Sequence, residues 1–135
     1  MEKFQLEKDV NVFYVTATSF PEGIASADKK IHELAPLNSK RRFFGISWPV
    51  DGVVVYKSAA EEMEPGEAEK TGCESFIIRR GEYSCITVKD FLRDINQIDR
   101  AFKELLSQPN IDPQGYCLEW YLNDTDVRCM VPLES

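Results

Sequence analysis

The apolar residues Ile24, Ala27, Ile31 and Leu34 return further along the chain as Ile95, Ile98, Phe102 and Leu105, a displacement of 71. Each set is spaced three, four and three residues apart, which is one face of a helix. Trp48 returns as Trp120, a displacement of 72, within a β-rich segment in both places. A common displacement across several elements reads as an internal duplication; the alternative is two unrelated βαββ units.

The order of elements is the same in both halves. Phe4 to Thr18 reads as a strand region bent near Lys8-Asp9, followed by a turn at Pro21-Glu22-Gly23 and a helix from Ile24 that Pro36 closes. Arg42 to Trp48 is a strand ending at Pro49, and Asp51-Gly52 joins it to the run Val53 to Tyr56, a strong hairpin signal. Ala59 to Gly72 is acidic and contains Pro65-Gly66, so it reads as an exposed connection. Ser75 to Ile78 and Tyr83 to Val88 are strands. A helix follows with Asp94 as N-cap, broken by Pro109 and Pro113. Cys117 to Leu122 and Val127 to Val131 are strands around a turn at Asn123 to Asp126.

Each helix has one apolar stripe, and only the strands are available to cover it. The expected fold is therefore α+β: duplicated βαββ units with pseudo-two-fold symmetry, forming an antiparallel sheet with two helices on one face and a ligand cleft on the other. One domain spans 1–135, with repeat one at about 4–60 and repeat two at about 73–133.

Charge narrows the partners. Lys and Arg number 16 against 23 Asp and Glu, a net charge of −7, which repels phosphate backbones and anionic headgroups. Direct nucleic-acid or membrane binding is not expected; the field suits cationic ligands or simply solubility. Cys73, Cys85, Cys117 and Cys129 form no C-x-x-C pair, and the single His32 is far from all of them in sequence, so no metal site is expected. The charged N-terminus lacks an apolar signal region, and the apolar runs are too short to cross a bilayer. A cytoplasmic protein with reduced cysteines packed as small core hydrophobes is the expectation. The chain lacks phosphate-loop, dinucleotide, nucleophile-elbow and H-E-x-x-H motifs, and no cofactor is expected.

Strand residues alternate between faces. Leu118, Trp120 and Leu122 are uniformly bulky, which predicts that they face the helices and that Cys117, Glu119 and Tyr121 face the open side. By the same parity Phe44, Ile46 and Trp48 point inward, and Phe43, Gly45 and Ser47 outward. Glu is disfavoured in mid-strand. A carboxylate among apolar neighbours needs a partner or has a raised pKa, the pattern of a ligand anchor or a general acid/base. The plainer reading is an exposed Glu119, or one paired with Arg79, Arg80 or Arg128. Tyr56, Tyr83 and Tyr121 are candidate cleft walls. Gly45 and Gly81 read as bulges or close backbone approaches, or equally as ordinary strand irregularity. Arg41-Arg42 reads as a solvated junction, and His32 as an exposed residue outside the chemistry.

Three segments carry a family resemblance: Phe44-Gly45-Ile46-Ser47 leading to Gly52-Val53-Val54-Val55-Tyr56; Ile78-Arg79-Arg80-Gly81-Glu82-Tyr83; and Leu118-Glu119-Trp120-Tyr121-Leu122-Asn123-Asp124 with Met130-Val131-Pro132-Leu133. In this order the chain resembles the GyrI-like small-molecule-binding domain, the effector-binding part of bacterial AraC- and MerR-type transcription regulators. The resemblance implies an aromatic-lined cleft between the halves, with Glu119 matching the family's cleft glutamate and Tyr56 and Tyr83 its tyrosines. Apolar or cationic drugs and metabolites are the implied ligands. With no helix-turn-helix segment before residue 4, a stand-alone form is expected. Three functions follow: a binding protein for a small apolar or cationic molecule; a small hydrolase using Glu119 as catalytic general acid/base; or an inhibitor of a protein partner such as gyrase, through the acidic connection Glu61 to Glu69.

Overall fold

The computed structural model describes residues 1–94 and 96–134. Its elements are β1 (Glu2–Leu6), β2 (Val10–Thr16), α1 (Ile24–Leu34), β3 (Phe43–Val50), β4 (Val53–Glu61), α2 (Glu67–Thr71), β5 (Glu74–Ile78), β6 (Gly81–Val88), α3 (Asn96–Leu106), β7 (Cys117–Tyr121) and β8 (Val127–Pro132). Ile95, placed by the spacing in the second helical stripe, lies outside the described residues.

The strands form one antiparallel eight-stranded sheet in the order β1-β6-β8-β7-β3-β4-β2-β5. Exchanging β1–β4 with β5–β8 reverses this order onto itself, so the topology is two-fold about the β7–β3 junction. Each half lends its opening strand to the other, β1 pairing with β6 and β5 with β2. The segment read as one bent strand is thus two strands at opposite ends of the sheet, divided at residues 7–9. Asp51 and Gly52 both have positive φ, as a two-residue hairpin between β3 and β4 requires. Strand β3 continues through Pro49, beyond its last pairing with β7 at Ser47, where the missing N–H breaks no ladder.

Ile31 of α1 packs with Phe13, Ala60, Ala68 and Phe43, while Leu105 and Ala101 of α3 pack with Val127, Cys129, Cys117 and Tyr121. Phe43 and Tyr121 are register partners, so all three helices lie on one face. Helix α1 rests on β4 and β2, and α3 on β6 and β8. The central strands β7 and β3 are left as the floor of a groove between them.

The opposite face holds a second core drawn from all eight strands, including Leu6, Val12, Phe44, Ile46, Ala59, Ile78, Tyr83, Leu118 and Met130, and it contains no helix residue. The sheet itself covers it. Phe4 of β1 meets Trp120 of β7 edge-on at 5.7 Å although β6 and β8 stand between them. Flat strands three places apart would be separated by about 14 Å at 4.8 Å per step. Strong curling toward this face closes that gap.

This curling overturns the parity expected from the sequence. Leu118, Trp120, Phe44, Ile46 and Trp48 face the concave core, and Cys117, Tyr121 and Phe43 face the helices. Trp120 sits between the guanidinium groups of Arg42 and Arg128, 5.3 and 4.9 Å from its ring centroid. The acidic connection is also not an exposed loop. Arg41, expected at a solvated junction, is buried and makes a bidentate pair with buried Glu67 of α2, with oxygens at 3.0 and 2.8 Å. Glu67 also accepts the Met63 and Glu64 amides, and Arg42 pairs with Glu61 at 2.7 Å. The four cysteines are free, with Cys85 and Cys129 buried. Among the described residues no helix is long and apolar enough to cross a membrane, and no cluster of potential metal ligands occurs.

Candidate functional site

At the β7–β3 junction Glu119 stands opposite Gly45, and Gly45 stands opposite Ser58 of β4. A Cβ on residue 45 would lie 2.7 Å from Tyr56 Cζ, so glycine is what lets the Tyr56 ring lie across the strand. That ring delivers its hydroxyl to the carboxylate next door. Tyr56 Oη donates to Glu119 Oε1 at 3.4 Å, Tyr121 Oη donates to the same oxygen at 2.5 Å, and the two phenols are 3.3 Å apart.

Glu119 is buried, and loss of hydration pushes its pKa up to about 6. The charge of Asp28 pushes the same way, and the two phenol hydrogen bonds oppose the rise. Burial and then the Glu119 charge drive both phenols upward, so they stay protonated and act as donors. The Cys117 thiol, beside them, rises to about 11 for the same two reasons. Asp28 of α1 is also shifted upward by burial, opposed by a hydrogen bond from Ser58 and by His32. The result is two carboxylates poorly served by water, held by hydroxyl groups and without an ion-pair partner among the described residues.

Above them runs a groove of about 540 Å³ whose lining includes Asp28, His32, Phe43, Phe91, Tyr121 and Asp124. His32 and Phe43 stack at 4.1 Å on one wall, and Phe91 meets Tyr121 at 5.8 Å on the other. Glu119 does not itself line the groove; Tyr121 does, and carries the hydrogen bond to it. A molecule in this space therefore meets Asp28 directly and Glu119 by way of Tyr121. Aromatic walls with buried negative charge suit an apolar cation.

Five of the six residues singled out in the sequence come together here: Glu119, Tyr121, Tyr56, Gly45 and Phe43. They do so on the helix-bearing face rather than the opposite one. Tyr83 is separate. It lies in the concave core, with its hydroxyl donating to the Arg79 carbonyl at 2.7 Å and 2.6 Å from Tyr116 Oη. Sequence reasoning missed Asp28 and Phe91 and set His32 aside. For Asp28 a signal existed, since it stands four residues after Ile24 and three before Ile31, on the helical face that must be buried.

No family model matches the chain, and no curated protein does. Solved structures do match over nearly its whole length. An integron cassette protein from the mobile metagenome of Vibrio cholerae superposes with a TM-score of 0.70 at 14% identity, covering 98% of this chain and 95% of the other. A hydrolase from Listeria innocua gives 0.63 at 12%, covering 98% and 90%. SAV2435, bound to tetraphenylphosphonium, gives 0.67 at 11%, covering 100% and 95%. At these identities the likeness establishes a shared fold and leaves the chemistry to be argued from this chain's own residues.

Proposed function

We propose that the protein is a binding protein of the GyrI-like kind, taking a small apolar cation into the groove lined by α1, Phe91 and Tyr121. The observation that carries this reading is the buried Glu119 carboxylate, bonded among the described residues only to phenols, beneath an aromatic groove that also presents Asp28. A cation entering this site relieves two carboxylates whose ionised forms burial disfavours, which gives selectivity for positive charge beyond what the aromatic area supplies. That one protein of this fold holds a lipophilic phosphonium supports the same class of ligand.

The test is calorimetry with tetraphenylphosphonium and with the near-isosteric anion tetraphenylborate, on wild type and Glu119→Gln. Binding of the cation alone, weakened about tenfold or more by Glu119→Gln, is the expected result. Equal binding of both ions would remove the carboxylate from the account.

A second reading is a hydrolase. The pKa of about 6 at Glu119 suits a group that takes and returns a proton near neutral pH, and a hydrolase shares the fold. Here Glu119→Gln would leave binding nearly intact and abolish product formation from a strained or activated substrate.

A further inference from the structure

A second groove, larger than the one beside Glu119, opens elsewhere on the molecule. It measures about 860 Å³, and its lining includes Trp48, Phe76, Tyr116, Arg79, Asp9 and Gln114. Trp48, Phe76 and Tyr116 belong to the concave core, so this groove opens from the opposite face of the sheet. Its volume is within the usual range of small-molecule sites, about 300–1,000 Å³.

Its wall is built from planes. Trp48 of β3 and Phe76 of β5 stack at 5.8 Å with 24° between rings, and Phe76 meets Tyr116 edge-on at 5.4 Å. Curling brings these strands together, although β4 and β2 stand between them in the sheet.

Arg79 supplies the charge. Two buried phenols fix its backbone: its N–H donates to Tyr116 Oη at 3.0 Å, and its carbonyl accepts from Tyr83 Oη at 2.7 Å. This is the role the structure gives Tyr83, expected from the sequence to touch ligand. The guanidinium lies 5.7 Å from the Tyr116 ring centroid, and its side chain is 54% exposed. Its one ion-pair partner among the described residues, Asp112, is 3.8 Å away, beyond hydrogen-bond distance. Asp112 Oδ1 already accepts the Gln114 amide at 2.9 Å, and Asp9 is taken in the same way by the Arg80 amide at 2.7 Å. The loop carrying Gln114 and Tyr116 is held down at Gly115, where a Cβ would approach Pro132 Cγ to 2.6 Å.

A held backbone, a guanidinium fork whose donors no described residue uses in a hydrogen bond, and a flat aromatic wall are the parts of a site for a planar acid. We infer that this concave groove is a second binding site, for an aromatic or heteroaromatic carboxylate whose ring packs on Trp48 and Phe76 and whose carboxylate takes the Arg79 fork. One guanidinium matches a carboxylate bidentately, and the lining offers no second cation for a doubly charged phosphate.

Calorimetry with indole-3-acetate, indole-3-acetamide and tryptamine tests this. Wild type is expected to bind the acetate at least tenfold more tightly than the amide or the amine. Arg79→Met should remove that preference, Arg79→Lys should restore part of it, and Trp48→Leu should weaken acetate and amide alike. Glu119→Gln should leave acetate binding unchanged, so failure here is separate from failure of the phosphonium site. Absence of acetate binding at millimolar concentration, binding indifferent to Arg79→Met, or binding lost in Glu119→Gln would each overturn the assignment. An unchanged melting temperature in Arg79→Met and Arg79→Lys excludes a folding defect there, since the Arg79 side chain is half exposed.

Discussion

Tyr121 donates its phenolic hydrogen to Glu119 Oε1 at 2.5 Å from two positions further along the same strand. Residues so spaced share a face, so one strand supplies both a buried carboxylate and the donor that keeps its charge tolerable. Removing the donor separates these roles. A hydrogen bond to a charged group contributes roughly 1.5–3 kcal/mol, and 1.36 kcal/mol is one pKa unit. Tyr121→Phe should therefore raise the Glu119 pKa by about one to two units from its value of about 6, read from a 13C-carboxyl NMR titration. An unmoved titration would mean that Tyr56 alone sustains the charge.

The same shift predicts how stability depends on pH. The folded pKa of Glu119, about 6, lies above the ordinary 4.5. An acid raised on folding destabilises the fold when ionised, so stability should rise as pH falls through 6 and level off below 4.5. The difference corresponds to about 2 kcal/mol. Asp28, also raised, acts in the same direction. Glu67, held down at about 2 by Arg41, acts oppositely but only below 4.5. Glu119→Gln cannot ionise, so its melting temperature should exceed that of wild type by roughly 5 °C or more at pH 7.5. The gap should narrow as pH falls through about 6 and close near about pH 4. A gap constant with pH would show that Glu119 carries no shifted titration.

How much of this was legible in the sequence depended on what covers each face. The α1 stripe and the Asp51-Gly52 hairpin were readable because both are local: a 3.6 period and two residues at positive φ. Facing was not. The parity rule assumes one buried and one wet face, but Cys117 to Tyr121 is apolar on both sides except for Glu119, the pattern of a strand covered twice. Curling, which covers the concave side, arises from pairing strands far apart in sequence, such as β1 with β6, and no local spacing reports it. The Arg41–Glu67 pair was hidden for the same reason. Each residue reads as surface in its own segment, and only the docking of α2 brings them together.

Gly45 predicts a steric dependence at the site. A methyl group there would meet Tyr56 Cζ at 2.7 Å, inside contact distance, and the ring belongs to a buried side chain with little room to yield. Gly45→Ala should destabilise by about 1–3 kcal/mol, measured by urea denaturation, and should weaken phosphonium binding by shifting the Tyr56 hydroxyl. Tyr56→Ala in the same chain should make the second effect of Gly45→Ala nearly vanish, a coupling visible in a double-mutant cycle. Additive losses would place the clash elsewhere.

Arg41 and Glu67 hold the segment between β4 and β5, and the consequence of parting them differs from that of any surface ion pair. Their side chains are 2% and 6% exposed. Arg41 further donates to the Pro36 carbonyl at 3.2 Å and to the Glu61 carbonyl at 2.5 Å, so it joins the end of α1 to the end of β4. Glu67→Gln leaves a buried guanidinium without its charge partner, which costs about 3–5 kcal/mol; Lys70 to Arg in α2, an exposed change, should cost almost nothing. The loss should be local before it is global, because residues 62–66 are held to the fold by Glu67 accepting the Met63 and Glu64 amides. Limited proteolysis should therefore cut Glu67→Gln within residues 62–72 under conditions where wild type resists. If cleavage began instead at the sheet edges, the ion pair would be a contributor to overall stability and not the clasp of this segment.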